Sequence, residues 1–333
     1  MEHKNRIGVI GGGSWATAIV KILLDNSKEK SISWWMRNQE AITHIRTYHR
    51  NPHYLSAVEL SPDLYISDDL EAIVERSDIL ILNVPAAFLH QVLSGLPQAA
   101  FQGKIWVSAI KGIVPETHQI VAEYLHETFT VALNQMVVIS GPCHAEEVSQ
   151  ARLSYLTLAS IDSNVAETLS AFISTPYIMT TITEDIYGTE YSAVLKNIYA
   201  VASGICHGVG FGDNFQAVLI ANAIQEIERF VAAVHPIDRD IKESAYLGDL
   251  LVTAYSQYSR NRTFGNMIGK GYSTRSAQLE MNMVAEGYYA SKSIFEINRR
   301  YQVHMPICDT VYGILYADKN PLREMKILAE QLS

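Results

Sequence analysis

A chain of 333 residues, 48% hydrophobic and 18% charged, is too apolar for disorder and lacks the bias of collagen or a coiled coil; at roughly 150 residues per domain it suggests two domains. Its 26 basic and 35 acidic side chains leave a formal charge of −9, which argues against a nucleic-acid or anionic-membrane surface while leaving room for a few local cations around a small anion.

In chain order, short apolar runs at 7–10, 31–36, 79–84, 105–110 and 136–140 read as strands, with amphipathic helical stretches at 15–24, 41–48 and 116–126 between them. This alternation predicts a doubly wound parallel α/β sheet whose ligands sit at the carboxyl ends of the strands. From about residue 184 the period changes to 3.6, with helical segments at 187–206, 214–234, 283–301 and 309–315 and no strand series. The boundaries expected are therefore 1–183 for an α/β domain and 184–333 for an all-α domain, with a ligand cleft between them. The first apolar run is cut by Gly11-Gly12-Gly13, so it is no signal-peptide core, and no run reaches the roughly 20 apolar residues of a membrane helix. Cys143, Cys206 and Cys308 lack CxxC spacing, which fits a reducing, cytoplasmic setting, and the last two read as small buried hydrophobes.

The strand, glycine turn and helix start over 7–18 give GxGxxA at Gly11, Gly13 and Ala16. Gly11 permits the turn, Gly13 lets backbone amides approach a pyrophosphate, and small Ala16 lets helix and strand pack closely. Versions specific for NAD carry an acid at the end of the second strand; here that strand ends Trp34-Trp35-Met36-Arg37. Arg37 either pairs with a 2′-phosphate, so that NADP(H) is tolerated or preferred, or is a solvated residue opening the next helix. The two tryptophans read as sheet cover. Lys111, after the 105–110 strand, is either a cation at the sheet edge or an exposed loop residue. Residues 140–147, Ser-Gly-Pro-Cys-His-Ala-Glu-Glu, follow another strand and form a pocket rim or a plain turn.

In the second half, Lys196 stands inside an apolar helix, where it either snorkels to solvent or serves a buried site; burial would lower its pKa toward neutrality and suit it to acid/base work. Asp249, equally isolated among apolar residues, is its candidate partner or else a helix N-cap. Ser259-Arg260-Asn261-Arg262 offers hydroxyl, guanidinium and amide groups suited to phosphate oxygens, or is a solvated loop. No HExxH or zinc spacing, GxSxG elbow or GxxxxGK[ST] loop occurs, so no metal site is expected.

Taken in order, Gly11-Gly-Gly-Ser-Trp-Ala-Thr-Ala18, Val107-Ser-Ala-Ile-Lys-Gly112, Ser140-Gly-Pro-Cys-His-Ala-Glu-Glu147, Leu195-Lys-Asn197, Gly212-Asp-Asn214, Leu247-Gly-Asp249, Ser259-Arg-Asn261 and Val284-Ala-Glu-Gly287 resemble the bacterial NAD(P)-dependent glycerol-3-phosphate dehydrogenases over nearly the whole chain. The resemblance implies a Rossmann-type domain followed by a helical domain of the 6-phosphogluconate-dehydrogenase kind. It also implies reversible hydride transfer between NAD(P) and dihydroxyacetone phosphate or sn-glycerol 3-phosphate, serving glycerophospholipid synthesis. Lys196 would be the proton donor/acceptor, Asp249 its acidic partner, and Lys111 a lysine touching both substrate and cofactor. Gly141, Cys143, Asn197, Ser259, Arg260 and Asn261 align with substrate contacts, Arg260 and Asn261 at the phosphate. Besides Gly11 and Gly13, the residues Ser14, Trp15, Arg37, Lys111, Ala145, Arg260, Val284 and Glu286 align with cofactor contacts. Two departures stand out: Cys143 replaces the usual Ser or Thr, and Ile110 the usual Thr or Ala. A homodimer is expected, without nucleic-acid or integral-membrane partners. The rival readings are a 3-hydroxyacid or 6-phosphogluconate-type dehydrogenase, and a noncatalytic dinucleotide-binding redox sensor.

Overall fold

Runs of β-branched and aliphatic residues with no polar interruption can be strands only where both faces are covered, and such runs form the centre of one sheet. The computed structural model describes residues 5–281 and 285–333. Its strands are β1 (Arg6–Ile10), β2 (Ser31–Trp35), β3 (Tyr65–Ser67), β4 (Ile79–Leu82), β5 (Ile105–Ser108), β6 (Ile113–Val114), β7 (Gln119–Ile120), β8 (Met136–Ser140), β9 (Ser154–Ala159) and β10 (Ile178–Thr183). Eight of them make a sheet in the order β10-β9-β8-β5-β4-β1-β2-β3. All neighbours pair in parallel except β8 and β9, which are antiparallel. The strands expected from sequence are all parallel to one another, and the departure from a parallel sheet comes with β9, which the sequence reading did not include: between β8 and β9 stands only α6 (Ala145–Ser149), a helix of 5 residues, too short to carry the chain back along the sheet as a crossover helix does.

The chain divides into two units, Met1–Ile110 with Val121–Ile186, and Lys111–Ile120 with Tyr187–Ser333. The first carries the sheet with α1 (Ser14–Asp25), α2 (Gln39–Tyr48), α3 (Leu70–Glu75), α4 (Ala86–Leu93), α5 (Val121–Phe129), α6 and α7 (Ser163–Ile173). Ile7, Val9, Ile19, Trp34, Ile81 and Val107 lie in its core. The second carries the β6–β7 hairpin and α8 (Ile186–Gly208), α9 (Asp213–Val234), α10 (Asp249–Tyr255), α11 (Arg260–Gly269), α12 (Thr274–Glu280), α13 (Glu286–Tyr301), α14 (Pro306–Tyr316) and α15 (Pro321–Ala329). A division at 183/184 leaves out the excursion over Lys111–Ile120. Ile113 and Ile120 pair across the hairpin and are buried in the core of the helical unit, which draws this segment into it. The helix expected over 116–126 accordingly begins only at Val121, since His118 turns the hairpin at φ 55°.

Within the helical unit, α8 and α11 cross through two glycine pairs, Gly204/Gly208 and Gly265/Gly269. A methyl on Gly265 would collide with the Val201 carbonyl, and one on Gly204 with the Arg262 carbonyl. Backbone therefore meets backbone, and the start of α11 is held against the middle of α8.

Elsewhere in this unit Glu226 on α9 is fully buried. It accepts the Ile307 and Cys308 amides at 2.6 and 3.3 Å and the Tyr199 hydroxyl at 3.2 Å, so it occupies the positive end of α14. Burial pushes its carboxyl up from the ordinary 4.5 to about 7, although the two amides and Tyr199 oppose the rise. A carboxyl raised on folding favours the native state below its unfolded value, and that stability is lost as pH climbs through the folded value. Over the window from 4.5 to about 7 the loss amounts to roughly 3 kcal/mol. Urea unfolding of wild type and Glu226→Gln at pH 5 and pH 8 is expected to show a smaller stability drop in the variant; equal drops would refute this account.

Candidate functional site

The glycine turn after β1 is fixed from its carbonyl side. The Trp34 indole N–H donates to the Gly11 oxygen at 2.5 Å, Asn51 Nδ2 to the Gly12 oxygen at 3.3 Å, and Thr17 Oγ1 to the Gly13 oxygen at 3.0 Å. Gly11 has φ 132°, and a Cβ there would stand 2.5 Å from the Asn83 carbonyl oxygen, so only glycine fits. No acceptor among the described residues takes the Gly12, Gly13 or Ser14 amides. Helix α1 starts at Ser14 with neither a side-chain cap nor an acid in its first turn. This donor cradle fits the pyrophosphate of a dinucleotide.

Three buried polar atoms have no partner among the described residues and lie in α1 or at the carboxyl ends of neighbouring strands: Trp15 Nε1, Asn83 Oδ1 and Ser108 Oγ. Orphaned groups of this kind are accounted for by a polar ligand or water. Asn83 and Ser108 went unnoticed in sequence; the available signal was their place directly after or at the end of β4 and β5, level with Gly11. Arg37 is exposed just past β2, its guanidinium 5.7 Å from the Phe88 ring centroid. Gly141 and Cys143 follow β8, and Ala145 opens α6. No disulfide joins the three cysteines, and Cys206 and Cys308 are buried. Val284 lies outside the described residues.

The helical unit holds the charged centre. Asp249, 1% exposed, receives the Lys111 ammonium on Oδ2 at 2.9 Å and the Lys196 ammonium on Oδ1. A π-helical turn over Ser244–Gly248 runs directly into α10 with Gly248 as cap, so the N-cap alternative for Asp249 gives way to an ion-paired carboxylate in the first turn. Lys196 also donates to Thr253 Oγ1 at 3.0 Å, and that hydroxyl donates to the Asp249 carbonyl at 2.6 Å. Thr253, one helical turn beyond Asp249, is a contact that sequence reasoning did not single out. Burial pushes the Lys196 ammonium down from 10.5; Asp249 resists, Lys111 adds to the fall, and the value reached is about 7. Burial alone would raise Asp249, but the two ammonium groups outweigh it and hold the carboxyl below 3.8. The solvated reading of Lys196 is excluded by its 4% exposure.

Ser259 is the N-cap of α11, its hydroxyl accepting the Arg262 amide at 3.3 Å, so the segment read as a possible loop is a helix start. Arg260 is exposed in the first turn, while Asn261 is buried and donates to Asn197 Oδ1 at 2.9 Å. Glu286 opens α13. Lys111, Lys196, Asn197, Asp249 and Asn261 are thus brought together in one unit, and the glycine cradle, Arg37, Gly141, Cys143 and Ala145 belong to the other. Among the described residues no group of three or more His, Cys, Asp or Glu side chains could hold a metal ion, and no helix is long and apolar enough to cross a membrane.

Comparison with known proteins matches residues 6–166 to the family model for the NAD-dependent glycerol-3-phosphate dehydrogenase N-terminus and residues 185–326 to that for its C-terminus. A glycerol-3-phosphate dehydrogenase (NAD(P)+) of Salinibacter ruber is 34% identical over 95% of this chain and 91% of its own length. The Staphylococcus carnosus enzyme of the same name is 31% identical over 97% of both. The crystal structure of glycerol-3-phosphate dehydrogenase from Coxiella burnetii superposes with a TM-score of 0.90 at 26% identity, covering 98% of this chain and 99% of that one. A ketopantoate reductase of Ralstonia solanacearum, described as putative in its own name, shares the fold at TM-score 0.59 and 15% identity over 98% of each chain.

Trp34→Phe keeps the buried ring and removes the donor to Gly11. Titration of NADH or NADPH is expected to show dissociation constants raised about fivefold, the equivalent of one hydrogen bond worth about 1 kcal/mol; unchanged binding would mean that the indole does not hold the turn.

Proposed function

The chain belongs to the NAD-dependent glycerol-3-phosphate dehydrogenase family, and from that premise we propose that it reversibly reduces dihydroxyacetone phosphate to sn-glycerol 3-phosphate with NADH or NADPH. The observation that carries the reading is the buried Asp249 carboxylate shared by Lys196 and Lys111 in a chain that both family models match. When bound, the reduced nicotinamide supplies hydride to the carbonyl carbon.

Negative charge then develops on the carbonyl oxygen, and Lys196 Nζ supplies the proton that neutralises it. Asp249 and Thr253 aim that ammonium, and Lys111 brings a second cation to the same oxygen. Arg260 and the α11 N-terminus suit the phosphate. The glycine cradle suits the cofactor pyrophosphate, and Arg37 suits a 2′-phosphate, which favours acceptance of NADPH beside NADH. The product is the backbone unit of glycerophospholipids, so reduction is the biosynthetic direction, with a homodimer in the cytoplasm as the assembly and location that accompany it.

Following NADH or NADPH oxidation on adding dihydroxyacetone phosphate tests the reaction. Lys196→Ala is expected to lower kcat by about 10²–10⁴-fold, the usual contribution of a positioned acid; full activity in this variant would remove the lysine from the mechanism. Because Lys196 titrates at about 7, kcat for reduction is expected to fall as pH rises through that value and kcat for oxidation to rise. Both profiles being flat between pH 6 and 8 would contradict the assignment.

A further inference from the structure

We propose that Asn261 is a positioning residue that acts through Asn197 on the backbone of Lys111. The inference rests on the reading of Lys111 as a substrate-facing cation and adds how that cation is held.

Four polar groups line up between two backbone positions. The Gly287 amide donates to Asn261 Oδ1 at 2.9 Å, Asn261 Nδ2 donates to Asn197 Oδ1 at 2.9 Å, and Asn197 Nδ2 donates to the Lys111 carbonyl at 2.7 Å. Each end is a backbone group with one chemical option. Gly287 N–H can only donate, so the oxygen of Asn261 must face it. Its nitrogen then faces Asn197, whose oxygen accepts, and the Asn197 nitrogen is left for a carbonyl that can only accept. Neither amide can flip without two like groups meeting, so the chain has one polarity and one geometry.

The packing that allows it is equally specific. Gly287 lies so close to α8 that a Cβ would stand 2.5 Å from the Asn197 carbonyl oxygen, and the glycine crossing of α8 and α11 sets the spacing of Asn197 and Asn261. Lys111 stands on the short segment between β5 and β6, two residues before the buried Ile113, and the bond from Asn197 adds a tie to its own backbone. Its ammonium is tied to Asp249 and its carbonyl to Asn197, adjacent in sequence to Lys196 on α8, so both lysines are referenced to one helix. The alignment of Asn261 with a phosphate contact does not account for this: both ends of its amide engage protein groups.

Asn261→Asp keeps the acceptor for Gly287 and sets oxygen against oxygen at Asn197. We expect kcat for dihydroxyacetone phosphate to fall on the order of 10²-fold, as a misplacement of about 1 Å does, with KM changed by less than about threefold. The kcat/KM loss should be equal for dihydroxyacetone, which has no phosphate, and Asn261→Asp should cost nothing further in a Lys111→Met background. A loss confined to KM and to the phosphorylated substrate, or full additivity with Lys111→Met, overturns the proposal. Should Asn261→Asp not fold by circular dichroism, Asn197→Asp, which keeps the acceptor for Asn261 and sets oxygen against the Lys111 carbonyl, is judged by the same outcomes. Full activity in Lys111→Met would instead refute the reading of Lys111 itself.

Discussion

A carboxylate at 1% exposure cannot stay ionised by itself, and two ammonium groups cannot approach one another without an anion between them; Asp249 with Lys111 and Lys196 satisfies both conditions at once. The arrangement joins three remote segments of sequence, the loop before β6, the middle of α8 and the first turn of α10. Much of the helical unit can be understood as what keeps those segments in register. The π-helical turn delivers Asp249 into α10, the glycine crossing brings α11 to α8, and the asparagine chain holds the Lys111 carbonyl. Net charge hides all of this, because a formal −9 averages over a centre that contains two cations and one anion.

The α/β unit solves a different problem. Its glycine turn must present donors to an anion without support from the other side, and it does so by engaging its carbonyls with Trp34, Asn51 and Thr17. These three residues come from β2, the stretch after α2, and α1. The turn is a product of the sheet as well as of the glycine spacing.

The central strands, the glycine turn and the long helices were legible in sequence because each has a strong local signature: an unbroken apolar run, GxGxxA, a 3.6-residue period. Lys196 and Asp249 were legible for the opposite reason, as charges placed where nothing polar belongs. The antiparallel β9, the short helices α10 to α12 and the β6–β7 hairpin were not, since their form is decided by what they pack against. Ile113 and Ile120 look like any apolar pair until the helical core that covers them exists. Thr253, Asn83 and Ser108 carry no sequence signal of their own, because a buried hydroxyl or amide differs from a surface one only in its neighbours. Asn197 and Asn261 were recognised by motif, but the donor chain that joins them depends on Gly287, whose role is set by proximity.

The membership of Lys111–Ile120 in the helical unit bears on how such a protein is inherited. Family models split the chain between residues 166 and 185, as though each half were a separable module. Yet ten residues embedded in the first half complete the core and the charged centre of the second, so a gene fragment starting at Tyr187 would encode neither intact. Recombination that exchanged one half alone would have to preserve an internal loop of the other, which ties the ancestry of the cofactor half to that of the lysine pair.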